Sequence, residues 1–159
     1  MKIFKKIMFL SFAICAMVLS SCSSNDSDDE GTPDDQEEFI KFTYNGTVYN
    51  FEPGVMSSLN MNIMGSTGID NTYKKISLWT PLNVTKGSHD IVYDLSNMET
   101  TYQASFSFLP AINNANAKSG KINITAVDNE KIEGTFTFSG TTSGEQTFTV
   151  TEGSFRVLR

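Results

Sequence analysis

From Phe39 onward, apolar side chains recur at every second position, and no stretch keeps a helical spacing. That period restricts the body to β-strands, whose successive side chains point to opposite faces. Tyr102, Ala104, Phe106 and Phe108 form the cleanest apolar face, opposite Gln103, Ser105 and Ser107. Ile132, Gly134, Phe136 and Phe138 point inward against Glu133, Thr135 and Thr137. Ile122, Ile124 and Ala126 share a face before the turn at Asp128-Asn129. Gly134 lacks a side chain where an apolar one is expected, which marks a bulge or a close backbone approach.

Turn residues divide these runs. Asn45-Gly46 between Phe39–Tyr44 and Thr47–Phe51 is a hairpin signal, because this pair suits the type I′ turn. Val55, Leu59, Met61 and Ile63 share one parity, and Ser58, Asn60 and Asn62 the other. Gly65–Asn71 reads as a loop, Lys75–Thr80 as a strand stopped by Pro81, and Lys86-Gly87-Ser88 as a turn. Ile91, Tyr93 and Leu95 alternate after it, and Asn113–Gly120 reads as a polar loop. Phe148 and Val150 are even-numbered, whereas Phe155 and Val157 are odd-numbered. A bulge or tight bend at Glu152-Gly153 must absorb one residue, or the last strand would turn its apolar set outward. About nine short strands without helices predict an all-β fold, a single antiparallel β-sandwich or a closed β-barrel, with the regular alternation favouring the sandwich.

The start of the chain is of another kind. A basic hexapeptide carrying Lys2, Lys5 and Lys6 precedes the apolar run Ile7–Leu19, broken only by Ser11. The run is shorter than the ~20 residues of a membrane span and fits a secretory signal peptide over 1–21. Leu19-Ser20-Ser21-Cys22 resembles the lipobox of bacterial lipoprotein signals, in which the cysteine is lipidated and becomes the new N-terminus. That resemblance implies lipidation at Cys22 and a permanent membrane tether. Cys15 would leave with the signal, so no disulfide or thiolate metal site is expected in the mature chain.

Residues 22–38 follow, with eight acids and no base after the cysteine. Such a segment buries too little to offset its ordering entropy and is expected to be a disordered tether. Asp26, Asp28, Asp29 and Glu30 resemble the export signal of Bacteroidota lipoproteins. The resemblance implies the outer membrane and its cell-surface face, with the periplasmic leaflet as the alternative. Without the signal peptide the chain has nine bases against eighteen acids, but from Phe39 onward it has nine against ten. The acidity belongs to the tether. A near-neutral body lacks the basic footprint that nucleic-acid binding needs.

Residues 39–159 are enough for one domain with its own core. Gly120–Thr125, Ile132–Phe138 and Val150–Phe155 resemble the C-terminal glycine-and-phenylalanine strands of an uncharacterised Bacteroidota lipoprotein family. The resemblance covers roughly the last forty residues and the signal, and implies no catalytic residues.

Chemistry is sparse in this body. His89 is the only histidine, and with Asp90 and Asp94 it is too small a set for zinc. Asp128-Asn129-Glu130 suits a turn better than a calcium loop. No Gly-x-Ser-x-Gly elbow occurs, and Gly65-Ser66-Thr67-Gly68 lacks the ending of a phosphate loop. Glu99, Glu133 and Glu145 are the carboxylates left for a paired acid and base, with nothing in their spacing to favour it. No catalytic residue, metal or cofactor is expected. Trp79 alone breaks its local pattern, since it shares parity with Lys75 and Ser77 rather than with Ile76 and Leu78. Trp79, with Tyr73 on the same side, is the candidate ligand-binding pair, unless a loop such as 65–71 covers that face. The expected function is a non-catalytic, lipid-anchored surface module that binds a glycan or another envelope protein. The alternatives are a barrel carrying a small apolar ligand and a structural accessory of an outer-membrane complex.

Overall fold

A computed structural model describes residues 37–159. The expected signal peptide, Cys22, the four acids Asp26, Asp28, Asp29 and Glu30, and the expected tether up to residue 36 lie outside the described residues. Ten strands follow: β1 (Phe39–Tyr44), β2 (Thr47–Phe51), β3 (Pro53–Ser57), β4 (Met61–Thr67), β5 (Lys74–Thr80), β6 (Gly87–Asp90), β7 (Gln103–Phe108), β8 (Ile112–Val127), β9 (Lys131–Thr141) and β10 (Thr147–Leu158). Single 3-10 turns at Asp70–Thr72 and Leu95–Asn97 are the only helical pieces among the described residues.

Nine strands make one antiparallel path, β2-β1-β10-β9-β8-β7-β5-β4-β3, with β6 added against β8. The two ends of the path are β2 and β3, which are one piece of chain bent at Glu52. β2 pairs with β1 and β3 with β4, so this bent strand nearly closes the sheet into a barrel. β8 makes the second corner. Its first residues, Ile112–Asn116, pair with β7, and Ala117–Val127 pair with β9. Register shifts between Ala117 and Ser119, where the chain changes wall, as strands do at barrel corners. Gly120 sits there at φ 153°, with Phe138 Cα 2.6 Å from where a Cβ would be. The alternation that favoured a sandwich is present, and pairing along the whole path from β2 to β3 makes the body an antiparallel sheet nearly closed into a barrel.

Local expectations hold where the signal is local. Asn45 and Gly46 both have positive φ, 49° and 74°, in the hairpin of β1 and β2. The β10 ladder with β9 shifts between Val150 and Gly153, and Glu152 has φ 51°. Phe148, Val150, Phe155 and Val157 are all buried as a result. Gly134 is a close approach: a Cβ there would lie 2.7 Å from the Asn123 carbonyl oxygen and 2.8 Å from the Phe155 ring.

Four segments differ from expectation. The run Val55–Ile63 is a hairpin, not one strand, and Leu59 at its turn is 67% exposed. β4 continues through Gly65, which hides its period because Ile40 and Phe51 fill the space a side chain would need. Residues 113–120 are strand, not loop. Ile112, Ala115 and Ala117 are buried there, and Asn114 at φ 46° breaks the parity that would have shown it. Ile91 is buried, but Tyr93 and Leu95 are exposed, because the chain leaves the sheet after Asp90.

The interior is filled by rings from facing walls. Phe106 of β7 meets Phe42 of β1 at 6.0 Å, Phe138 of β9 at 6.2 Å and Phe148 of β10 at 5.5 Å between centroids. Tyr44 of β1 lies 4.9 Å from Phe108. Such offset and edge contacts add to the area these rings bury.

Candidate functional site

Trp79 lies on the outer side of β5, between Asn62 of β4 and Gln103 of β7. That side is not open to water. Ser77, Gln103 and Ser105 beside it are buried, and Trp79 itself is half-buried. The segment 92–101 leaves the barrel after Ile91 and returns at Tyr102 as a strap. Its two ends meet through the bridge Ile91–Tyr102. Gln103 fastens the segment: its Nε2 donates to the Asp94 carbonyl at 2.7 Å and its Oε1 accepts from Asp94 N at 3.3 Å. Asn60 Nδ2 reaches the Met98 carbonyl at 3.5 Å. The strap is thus held at the start of β7 and just before β4, the strands on either side of β5. Asn62 Oδ1 and Ser77 Oγ are buried on this face without a hydrogen-bond partner. Tyr73 is half-buried at the other end of β5, six residues from Trp79, about 20 Å along a strand. The two rings do not converge on one ligand.

His89 and four carboxylates make contacts within the fold. His89 stacks on Tyr102 at 4.0 Å, and its Nε2 lies 2.9 Å from the Thr85 carbonyl oxygen. Asp90 pairs with Lys121 at 2.7 Å, and that hydrogen bond holds its carboxyl below the ordinary range. Asp94 caps the 3-10 turn, accepting from Asn97 Nδ2 at 2.7 Å and Ser96 N at 2.9 Å; these bonds lower its pKa. Asp128 accepts from the backbone of Glu130 and Lys131 and is lowered in the same way, so Asp128-Asn129-Glu130 is a turn. Glu133 sits between Lys131 at 2.9 Å and Arg156 at 2.8 Å, and both bonds lower it. Glu133 and Glu145 lie toward opposite ends of β9, too far apart to share a substrate bond. Among the described residues no group of three or more metal-ligating side chains converges.

A cleft of about 290 Å³ lies on the outside of the β8 corner. Asn113, Asn114 and Asn116 supply one side, Thr141 and Ser143 at the end of β9 another, and Tyr93 of the strap a third. Tyr93 is half exposed. Below Ala117 this part of β8 pairs with β7 alone, because β9 and its turn diverge from it, and the divergence opens the cleft. No carboxylate lines it, and Lys118 is its one cation. One exposed ring beside several neutral amides and hydroxyls is the chemistry that receives a neutral, hydroxyl-rich ligand. These residues were not legible as a site. The density of asparagine in Asn113-Asn114-Ala115-Asn116 was the available signal, and it reads equally as a loop.

No curated protein and no solved structure matches the chain. A protein-family profile matches residues 51–158, which span nine of the ten strands at least in part and every wall of the cleft. With more than half of its length matched, the chain belongs to the family described as a domain of unknown function, DUF6252.

Proposed function

We propose that this protein is a lipid-anchored module of the bacterial cell envelope that binds a neutral glycan in the Tyr93 cleft and catalyses nothing. Cys22 carries the lipid, and Asp26, Asp28, Asp29 and Glu30 direct the protein to the outer face of the outer membrane. The observation that carries the binding role is the cleft, which the half-exposed Tyr93 lines together with Asn113, Asn114 and Asn116 of β8. Its ~290 Å³ is at the small end of the ~300–1,000 Å³ typical of ligand sites, room for one or two sugar rings. The carrier reading loses support, because an apolar guest would have to displace the rings that meet at Phe106. A second reading has a specific observation behind it: Asn113–Asn116 have a strand partner on one side only, so an extended segment of an envelope protein could add there.

The test is binding of wild type, Tyr93→Ala and Asn116→Ala to an array of envelope and host glycans, with melting curves for each. Tyr93→Ala should lose about 10-fold in affinity, ~1.4 kcal/mol, with an unchanged Tm. Glycan binding unaffected by both variants removes the cleft as the site. Retention of no glycan, with capture of a peptide that Asn116→Pro abolishes, would turn the reading to strand addition.

A further inference from the structure

We infer that the end of the barrel where the chain comes in is the face that rests on the lipid bilayer. Four aliphatic side chains gather at that end: Leu59 at the β3–β4 turn, Leu82 after β5, Leu158 at the end of β10, and Val55 on β3. They are 67%, 42%, 49% and 36% exposed. Single exposed apolar residues are ordinary. Three of these, Val55, Leu82 and Leu158, line one opening, and Leu59 is at the turn beside it. β3 pairs with β4 but not with β10, and the gap between them is a cleft of about 540 Å³ lined by Val55, Met61, Leu82 and Leu158, with Ser57 and Arg159 at its polar edge.

The chain length before the barrel says what covers this rim. Leu158 N donates to Glu38 Oε1 at 2.7 Å, so residue 38 is fastened to the rim itself. Cys22 stands fifteen residues before Glu37, a reach of at most ~50 Å. The opposite end of the barrel is further away by the eleven residues of β9, ~35 Å along the strand. The apolar rim is therefore the end at which the tether joins the barrel. Four partly exposed side chains offer on the order of 300 Å², short of the ~800 Å² per partner of a stable dimer. A bilayer asks for no shape complementarity, and the tether raises the local concentration so that a weak contact suffices. Seated this way, the Tyr93 cleft beside Thr141 lies toward the end facing away from the membrane.

The inference rests on the anchor at Cys22, and the experiment separates the two. Full-length lipidated protein is placed in phosphatidylcholine vesicles that contain a lipid-borne nitroxide quencher. Leu59→Cys, Leu158→Cys or Glu145→Cys carries a fluorophore, Cys22 being occupied by lipid. Flotation with the vesicles reports the anchor alone. The rim labels should be quenched at least ~2-fold more than the label at Glu145. Floating protein whose three labels are quenched equally overturns the membrane-facing rim, whereas protein that does not float removes the anchor. Energy transfer between rim labels on different molecules, without lipid quenching, assigns the rim to a second copy instead and also overturns the inference. Leu59 lies in an exposed turn, so its variant keeps the test valid should Leu158→Cys disturb β10.

Discussion

At the scale of single residues, the glycines and phenylalanines of the last strands are partners. Across the ladder of β9 and β10, Gly134 pairs with Phe155, Gly140 with Phe148 and Gly153 with Phe136. Each ring lies over a position where a methyl group would collide, which covers the backbone the glycine leaves bare. At Gly153 a Cβ would enter the edge of the Phe136 ring and come within 2.5 Å of the Phe136 carbonyl oxygen. Gly153→Ala should therefore cost about 1–3 kcal/mol through overpacking. Gly54→Ala, with nothing within 4 Å of the new carbon, should be neutral or stabilising by up to ~1 kcal/mol. Urea denaturation of the two variants checks this, and equal losses would show that the rings do not depend on the missing side chains. The sequence displays the glycines and the rings, but pairing them requires the register, which the shift at Glu152 changes midway.

At the scale of elements, the strap 92–101 is fastened to the start of β7 through Gln103, while β8 meets Ser107 through Asn114 N. Alternation at Gln103, Ser105 and Ser107 reads as a solvent face, and all three are buried. A sheet face made of serine and glutamine is polar whether water or a polar segment covers it, so the pattern cannot tell the two apart. Asp94 is the strap's internal fastener, and its pH dependence has a definite sign. Its pKa is lowered from 3.8, so the cap contributes above 3.8 and is lost as the pH falls through the lower folded value. At neutral pH, amide exchange at Ser96 should be faster in Asp94→Ala than in wild type, with β9 unchanged. The difference should disappear once the pH drops below the lowered value. Equal exchange in the two proteins at neutral pH would mean that Gln103 alone holds the strap.

At the scale of the molecule, the barrel extends beyond the stretch that defines the family. The profile begins at residue 51, yet β1 lies between β10 and β2 and buries Ile40, Phe42 and Tyr44. A chain of residues 51–159 would open the wall at β10 and expose an unpaired strand edge. It should show no cooperative thermal transition, whereas 37–159 should melt as one unit. Circular dichroism of both decides, and a cooperative melt of the shorter chain near the longer one's Tm would place β1 outside the folding unit.

The sequence by itself determined the all-β class, the hairpin at Asn45-Gly46 and the bulge at Glu152-Gly153. Each of these rests on a local cause: a period of two, a turn that needs positive φ, or a parity that must change within one strand. Only the tertiary structure decided that two bent strands nearly close the walls into a barrel, that a strap joins the start of β7 to Asn60 before β4, and that Tyr93 shares a cleft with Asn113, Asn114 and Asn116. Those outcomes join residues far apart along the chain, as Asn60 meets Met98 and as Phe42 meets Phe106. Contacts of that kind are set by register and closure, and no pattern confined to a short window of sequence contains them.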